Sequence, residues 1–134
     1  MKSIFELAYR YIEPSIKRSL VERLLARGMR SVDVAKCLGL SLSLVSRYAR
    51  RERGLQDFMV YPDVAKYIEK LADRVFQGEV CGISVYKEIL MLTLYILGRK
   101  YACSLHYAID RDINPASCRL CPDLVSSLMS GLLS

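Results

Sequence analysis

The 134-residue chain has no tryptophan, a single asparagine and two glutamines. So few labile amides lean toward a thermophilic source, where disulfides inside the cell are an option beside the reduced thiols usual in cytoplasm. Proline and glycine are sparse, with four and seven residues. Together with 52% hydrophobic and 25% charged residues, that excludes a long disordered tract and indicates a globular chain. The longest apolar run, from Ile89 to Leu97, is broken by Thr93 and flanked by charges, too short to cross a bilayer. Glu6, Arg10 and Glu13 interrupt the opening segment, so no export leader is expected, and the expected location is cytoplasmic with no membrane partner. A glycine-rich phosphate loop and a serine nucleophile elbow are both missing, and there is one histidine. The chain is therefore not expected to be an enzyme, and no small-molecule substrate is evident.

Positive charge is present but unevenly placed. Residues 1–54 hold twelve Lys and Arg against five Asp and Glu, whereas residues 55–134 hold eight against nine. All of the net charge of +6 thus comes from the first 54 residues. A domain so charged attracts phosphates and releases their condensed counterions, which makes nucleic acid the expected partner class.

Apolar spacing predicts helices throughout. Ile4, Phe5, Leu7, Ala8, Tyr11 and Ile12 form a first helix that ends at the Glu13-Pro14 step; Ile16, Leu20 and Leu24 form a second, stopped at Gly28. Residues 55–62 read as a linker closed by Pro62. An amphipathic helix follows through Val64, Tyr67, Ile68, Leu71 and Val75, stopped at Gly78. The stretch opening at Ile83 and ending at Leu97 is apolar on nearly every side, as in a helix buried in a core or between subunits. Beyond Gly98 the periodicity dissolves into a Cys-rich tail.

The most specific pattern lies between Ser31 and Tyr48. Ala35 is small where a second helix crosses, Gly39 suits a left-handed turn, and Ser41 is placed to cap the next helix. Val34, Leu38, Leu40, Val45 and Tyr48 would face inward. That pattern is a helix-turn-helix, and it leaves Leu42, Ser43, Ser46 and Arg47 on the face expected to meet base edges in the major groove, with Arg50, Arg51 and Arg53 toward phosphates.

Residues 14–54, from Pro-Ser-Ile-Lys-Arg through Ala-Lys-Cys-Leu-Gly-Leu-Ser-Leu-Ser-Leu-Val-Ser-Arg-Tyr to Arg-Glu-Arg-Gly, resemble archaeal transcriptional regulators with a lambda-repressor-like (Xre/Cro-type) helix-turn-helix. Some of those carry a Cys-rich C-terminal segment, as this chain does. The resemblance implies double-stranded DNA as partner. Such domains often carry a phosphate-contacting Gln four residues before the motif Ala; Ser31 stands there, where its hydroxyl can cap the helix and is expected to keep a weaker contact with the DNA backbone, as is Ser41 at the start of the next helix.

Cys103-x-x-His106 and Cys118-x-x-Cys121 have ligand spacing, and His106 is the chain's single histidine. Two such pairs complete a Cys3His shell of the structural zinc type. An iron–sulfur cluster, with His106 or Cys81 as fourth ligand, is the alternative, as is no metal with free or disulfide-bonded thiols. Cys37, beside Leu38, reads as a small buried residue.

The expected architecture is all-α: an N-terminal bundle of four to five helices over residues 1–54, a linker at 55–62, and a helical dimerisation region over 63–134 with a small Cys/His module near 101–123. The homodimer is expected to form through residues 83–97, helped by the helix from Val64 to Val75 and by the apolar end from Leu124 to Leu133, because two copies double the contacts of a single motif. The expected role is transcription regulation; a metal-binding adaptor or antitoxin-like interaction module is the alternative.

Overall fold

The protein is described from a computed structural model over residues 3–130. Those residues are helical with irregular connections, and no strand occurs among them. Helix α1 (Ile4–Leu7) starts at Ser3, whose hydroxyl accepts from the Phe5 amide at 3.1 Å. The break expected at Glu13-Pro14 does not occur. The chain widens into π turns over Ala8–Ile12 and runs straight on into α2 (Glu13–Ala26). In a π turn the Glu13 amide reaches back to Ala8, and the wider ring accommodates a proline that would clash with a tight α turn. The Ser15 hydroxyl takes up the Tyr11 carbonyl at 2.7 Å.

Helix α2 is the hub. Ile16, Leu20, Val21 and Leu24 are buried, and the helix touches α3 (Ser31–Leu38), α4 (Leu42–Ala49), α5 (Pro62–Phe76) and α6 (Ile83–Gly98). It ends as the sequence suggests, with Gly28 at φ 93° and the Met29 amide bonded to the Leu24 carbonyl at 3.1 Å, which satisfies carbonyls that the last turn leaves open. One continuous apolar core runs from Leu7 to Cys121, so the change of charge at Gly54 is not a gap in packing.

Residues 55–62 are tied to that core. Arg18, almost wholly buried, donates from Nε to the Gly54 carbonyl at 2.5 Å and from its NH2 nitrogen to the Gln56 carbonyl at 3.3 Å, while Glu22 holds its NH1 nitrogen at 3.1 Å. Gly54 has φ 68°, and a Cβ there would stand 2.3 Å from the Pro14 carbonyl oxygen. Phe58 is buried, and Pro62 opens α5 where the missing N–H costs nothing.

Helix α5 buries Val64, Ile68, Leu71, Ala72 and Val75, and its outer charges hold α2: Arg23 meets Glu69 at 2.6 Å, and Arg27 meets Glu69 at 2.7 Å and Asp73 at 2.9 Å. Helix α6 buries Val85, Ile89, Leu92, Ile96 and Leu97 and leaves Leu90, Met91, Leu94 and Tyr95 exposed. The tail is more regular than its composition suggests. It forms α7 (Cys103–Ile109) and α8 (Leu120–Met129), with Pro122 in the first turn of α8. Helix α8 packs on α6 at Gly98, where a Cβ would approach Val125 to 3.1 Å. No described helix is long and apolar enough to cross a membrane.

Candidate nucleic-acid interface

Helices α3 and α4 are joined by Gly39, Leu40 and Ser41. Gly39 adopts φ 66° and ψ 35°, a left-handed conformation that a side chain penalises, and the Leu40 amide closes the turn on the Ala35 carbonyl at 2.9 Å. Ser41 caps α4, its hydroxyl accepting from the Leu44 amide at 3.1 Å. Val34, Ala35 and Cys37 of α3 and Val45 and Tyr48 of α4 are buried, and Leu38, Leu40 and Leu44 are half-buried against them. Burial pushes the Tyr48 phenol above its ordinary pKa.

That packing sorts the remaining residues. Ser31, Ser41, Leu42, Ser43 and Arg47 are exposed, Leu42 by half its surface, while Ser46 is half-buried. The Ser43 hydroxyl lies 3.2 Å from that of Ser41, so the two form one polar edge at the start of α4. Arg47 has no ion pair among the described residues. Arg50 is paired with Glu52 at 3.2 Å, a bond that holds the Glu52 carboxyl below its usual range. Arg51 takes a left-handed φ of 58° just past the helix and meets Glu22 at 3.2 Å, so it serves as an end-cap as well as a cation.

Arg53 lines a cleft of about 440 Å³ between α4 and the first helical run, shared with Arg10 and Lys17. Those two were missed by sequence reasoning, although they lie within the basic half. Spacing along the chain does not reveal that they share a cleft with Leu44 and Tyr48. Conversely, Arg18, Arg23 and Arg27 swell the positive count of residues 1–54 while their charges are taken up within the protein, Arg18 in the core and Arg23 and Arg27 in partly exposed ion pairs with α5. The cationic surface left without internal partners is accordingly smaller than the charge split suggests.

In the tail, Cys103 and Cys118 are half-buried and Cys121 is buried. The Cys121 thiol is pushed up to about 11, by burial first and then by its neighbours Cys103 and Cys118; burial also raises Cys103, with nearby Lys100 opposing. Lys100 pins the intervening loop by donating to the Pro115 carbonyl at 2.7 Å. His106, 5% exposed, has Nε2 buried without a hydrogen-bond partner. The three thiols therefore share a neighbourhood with soft-ligand chemistry, yet no three His, Cys, Asp or Glu side chains among the described residues stand together as a set able to hold an ion. Cys81 is elsewhere, at the loop beside α3, with Cys37.

Comparison with protein-family models, curated proteins and solved structures finds no match.

Proposed function

We propose that the chain is a sequence-specific DNA-binding regulator of transcription, not an enzyme, in which α3 and α4 act as a helix-turn-helix and α4 enters the major groove. The observation that carries this reading is the division of α4. Its inner face is anchored by Val45 and Tyr48, and its outer face offers Ser43 and an unpaired Arg47 beside a cap. An exposed helix N-terminus with such residues suits base edges, while Arg10, Lys17, Arg50, Arg51 and Arg53 suit the flanking phosphates. The reading agrees with the lambda-repressor-like pattern and locates the protein's work in the cytoplasm. Titration of duplex DNA across salt concentrations tests it. Affinity is expected to fall steeply with salt and to discriminate among sequences; indifference to duplex DNA at low salt would overturn it and favour the adaptor reading.

The regulator is proposed to act as a homodimer. The outer face of α6, with Leu90, Met91, Leu94 and Tyr95, continues into a groove of about 240 Å³ formed with Phe5, Leu124 and Leu128, an apolar surface of the kind that marks association. Leu132 and Leu133, expected to help, lie outside the described residues.

A bound metal is proposed as a further component, with Cys103, His106, Cys118 and Cys121 as donors and zinc ahead of an iron–sulfur cluster. The ligand spacing, the three neighbouring thiols and a His106 nitrogen without a hydrogen bond support it, and the donors would have to draw together around the ion. A cation there reverses the unfavourable charging of the buried thiols and ties α7 to α8. Metal analysis with visible absorption of anaerobically purified protein tests it; one zinc per chain is expected, and protein free of both zinc and iron would overturn it.

A further inference from the structure

Cys37 and Cys81 lie far apart in the chain, on α3 and on the loop between α5 and α6, and the fold brings them side by side. Gly82 makes this contact by adopting φ 64° and ψ −125°, a conformation reserved for glycine, and its amide donates to the Cys37 carbonyl at 2.7 Å. With standard bond lengths, that bond keeps the α-carbons of Cys37 and Cys81 within about 7.5 Å of each other. Disulfides span roughly 4.4–6.8 Å, so closure needs little movement. The Cys37 thiol also approaches the Val80 carbonyl at 3.6 Å and is near enough to Cys81 for the two groups to influence each other's charging. Both cysteines line an open cleft of about 500 Å³ whose walls include Lys36, a cation suited to an anionic reagent, and Arg30, which is ion-paired with Asp33 at 2.8 Å.

We propose that Cys37 and Cys81 are a redox-active pair that closes to a disulfide on reaction with an anionic low-molecular-weight disulfide, cross-linking the last turn of α3 to the α5–α6 loop. The order of events follows from burial. Cys81 is exposed and Cys37 is buried, with its thiol pushed up to about 12, by burial first and then by Cys81. The Cys81 thiolate therefore attacks first, forming a mixed disulfide and releasing one thiolate of the reagent. Cys37 then gives its proton to solvent, and its thiolate attacks the Cys81 sulfur, forming the internal bond and expelling the second thiolate. Two protein thiols are oxidised, one reagent disulfide is reduced to two thiols, and no other electron acceptor is needed. The pair is separate from Cys103, Cys118 and Cys121 and stands whether or not the chain binds DNA.

The test is to incubate the reduced full-length protein with glutathione disulfide, quench with acid, alkylate the remaining thiols and map the peptides. Cys37 and Cys81 are expected to be lost together into one cross-linked peptide, and the oxidised protein should melt on the order of 10 °C higher, because the bond closes a long loop. Cys81 is exposed, so the variant Cys81→Ser is expected to fold with the core intact. It should abolish both changes while Cys103, Cys118 and Cys121 alkylate as in the parent. A lasting mixed disulfide at Cys81 with Cys37 still free, a bridge from Cys81 to a tail cysteine, or no loss of either thiol would each overturn the proposal.

Discussion

Helices α4 and α6 both bury one face against α2 and leave the other uncovered, yet the uncovered faces are opposites. Apart from Leu42, the outer residues of α4 are polar, Ser43, Ser46 and Arg47, which water hydrates well and which cost little when left uncovered. On α6 they are Leu90, Met91, Leu94 and Tyr95, each of which forfeits about 25 cal/mol for every Å² of apolar surface left wet. The difference teaches that amphipathicity has two meanings in one small protein. A polar outer face ends a helix's packing, whereas an apolar one leaves it incomplete.

The sharpest way to break the comparison is to remove what the two helices share. Leu20→Ala, at a fully buried position on α2, is expected to cost about 2–5 kcal/mol and to loosen both faces in a single denaturant transition. Separate transitions would mean that the core joining them is weaker than its continuity implies. Next in size, Leu94→Glu is expected to weaken self-association by roughly 100-fold or more without unfolding the chain, since it sets a charge in an apolar contact. Light scattering with circular dichroism distinguishes this from misfolding, and an unchanged mass would mean that α6 is not the contact.

On the α4 side, Arg47→Ala is expected to cost about 1–3 kcal/mol against the preferred sequence and little against random duplex. Arg51→Ala should weaken both alike and lower the salt slope by about one. Equal losses for the two variants on every duplex would erase the distinction between the helix face and its end. Ser41→Ala removes a cap without touching the core, so thermal or urea melting should report a loss of about 1 kcal/mol.

The smallest effect concerns the ion pairs that clamp α2 to α5. Hydrogen bonding from Arg27, with a further bond from Arg23, lowers the Glu69 pKa despite the opposing effect of burial. A carboxyl whose folded pKa is depressed stabilises the fold above its unfolded pKa and loses that contribution as pH falls through the folded value. Glu69 is partly exposed, so Glu69→Gln should cost no more than about 1 kcal/mol at pH 7 after solvent screening. The difference from the parent should vanish at pH values below the folded pKa. A difference independent of pH would mean that packing, rather than charge, explains the loss.

The all-helical character was legible because apolar residues at spacings of three and four, Gly28 and Gly78 at helix ends, and Pro62 at a helix start are local signals. Within the candidate interface, the turn at Gly39 and the cap at Ser41 were equally legible, since each answers to its own backbone. The Glu13-Pro14 step misled because a proline breaks an α turn but fits after a π turn, and nothing in the neighbouring residues announces the wider ring. Residues 55–62 lack periodicity and so looked like a linker, although the side chain holding their carbonyls, Arg18, is far away in sequence.

The sequence by itself determined the helices and their ends, the asymmetry of charge, and which residues of α4 must turn inward. Period, capping and backbone conformation act over a few residues and need no distant partner. Only the tertiary structure decided that α2 is the hub, that Arg18 is buried and Arg23 and Arg27 clamp α2 to α5 while Arg47 has no ion pair among the described residues, and that Cys37 meets Cys81. Those outcomes depend on which surfaces exclude water together, and that is set by the packing of helices whose contacts lie tens of residues apart.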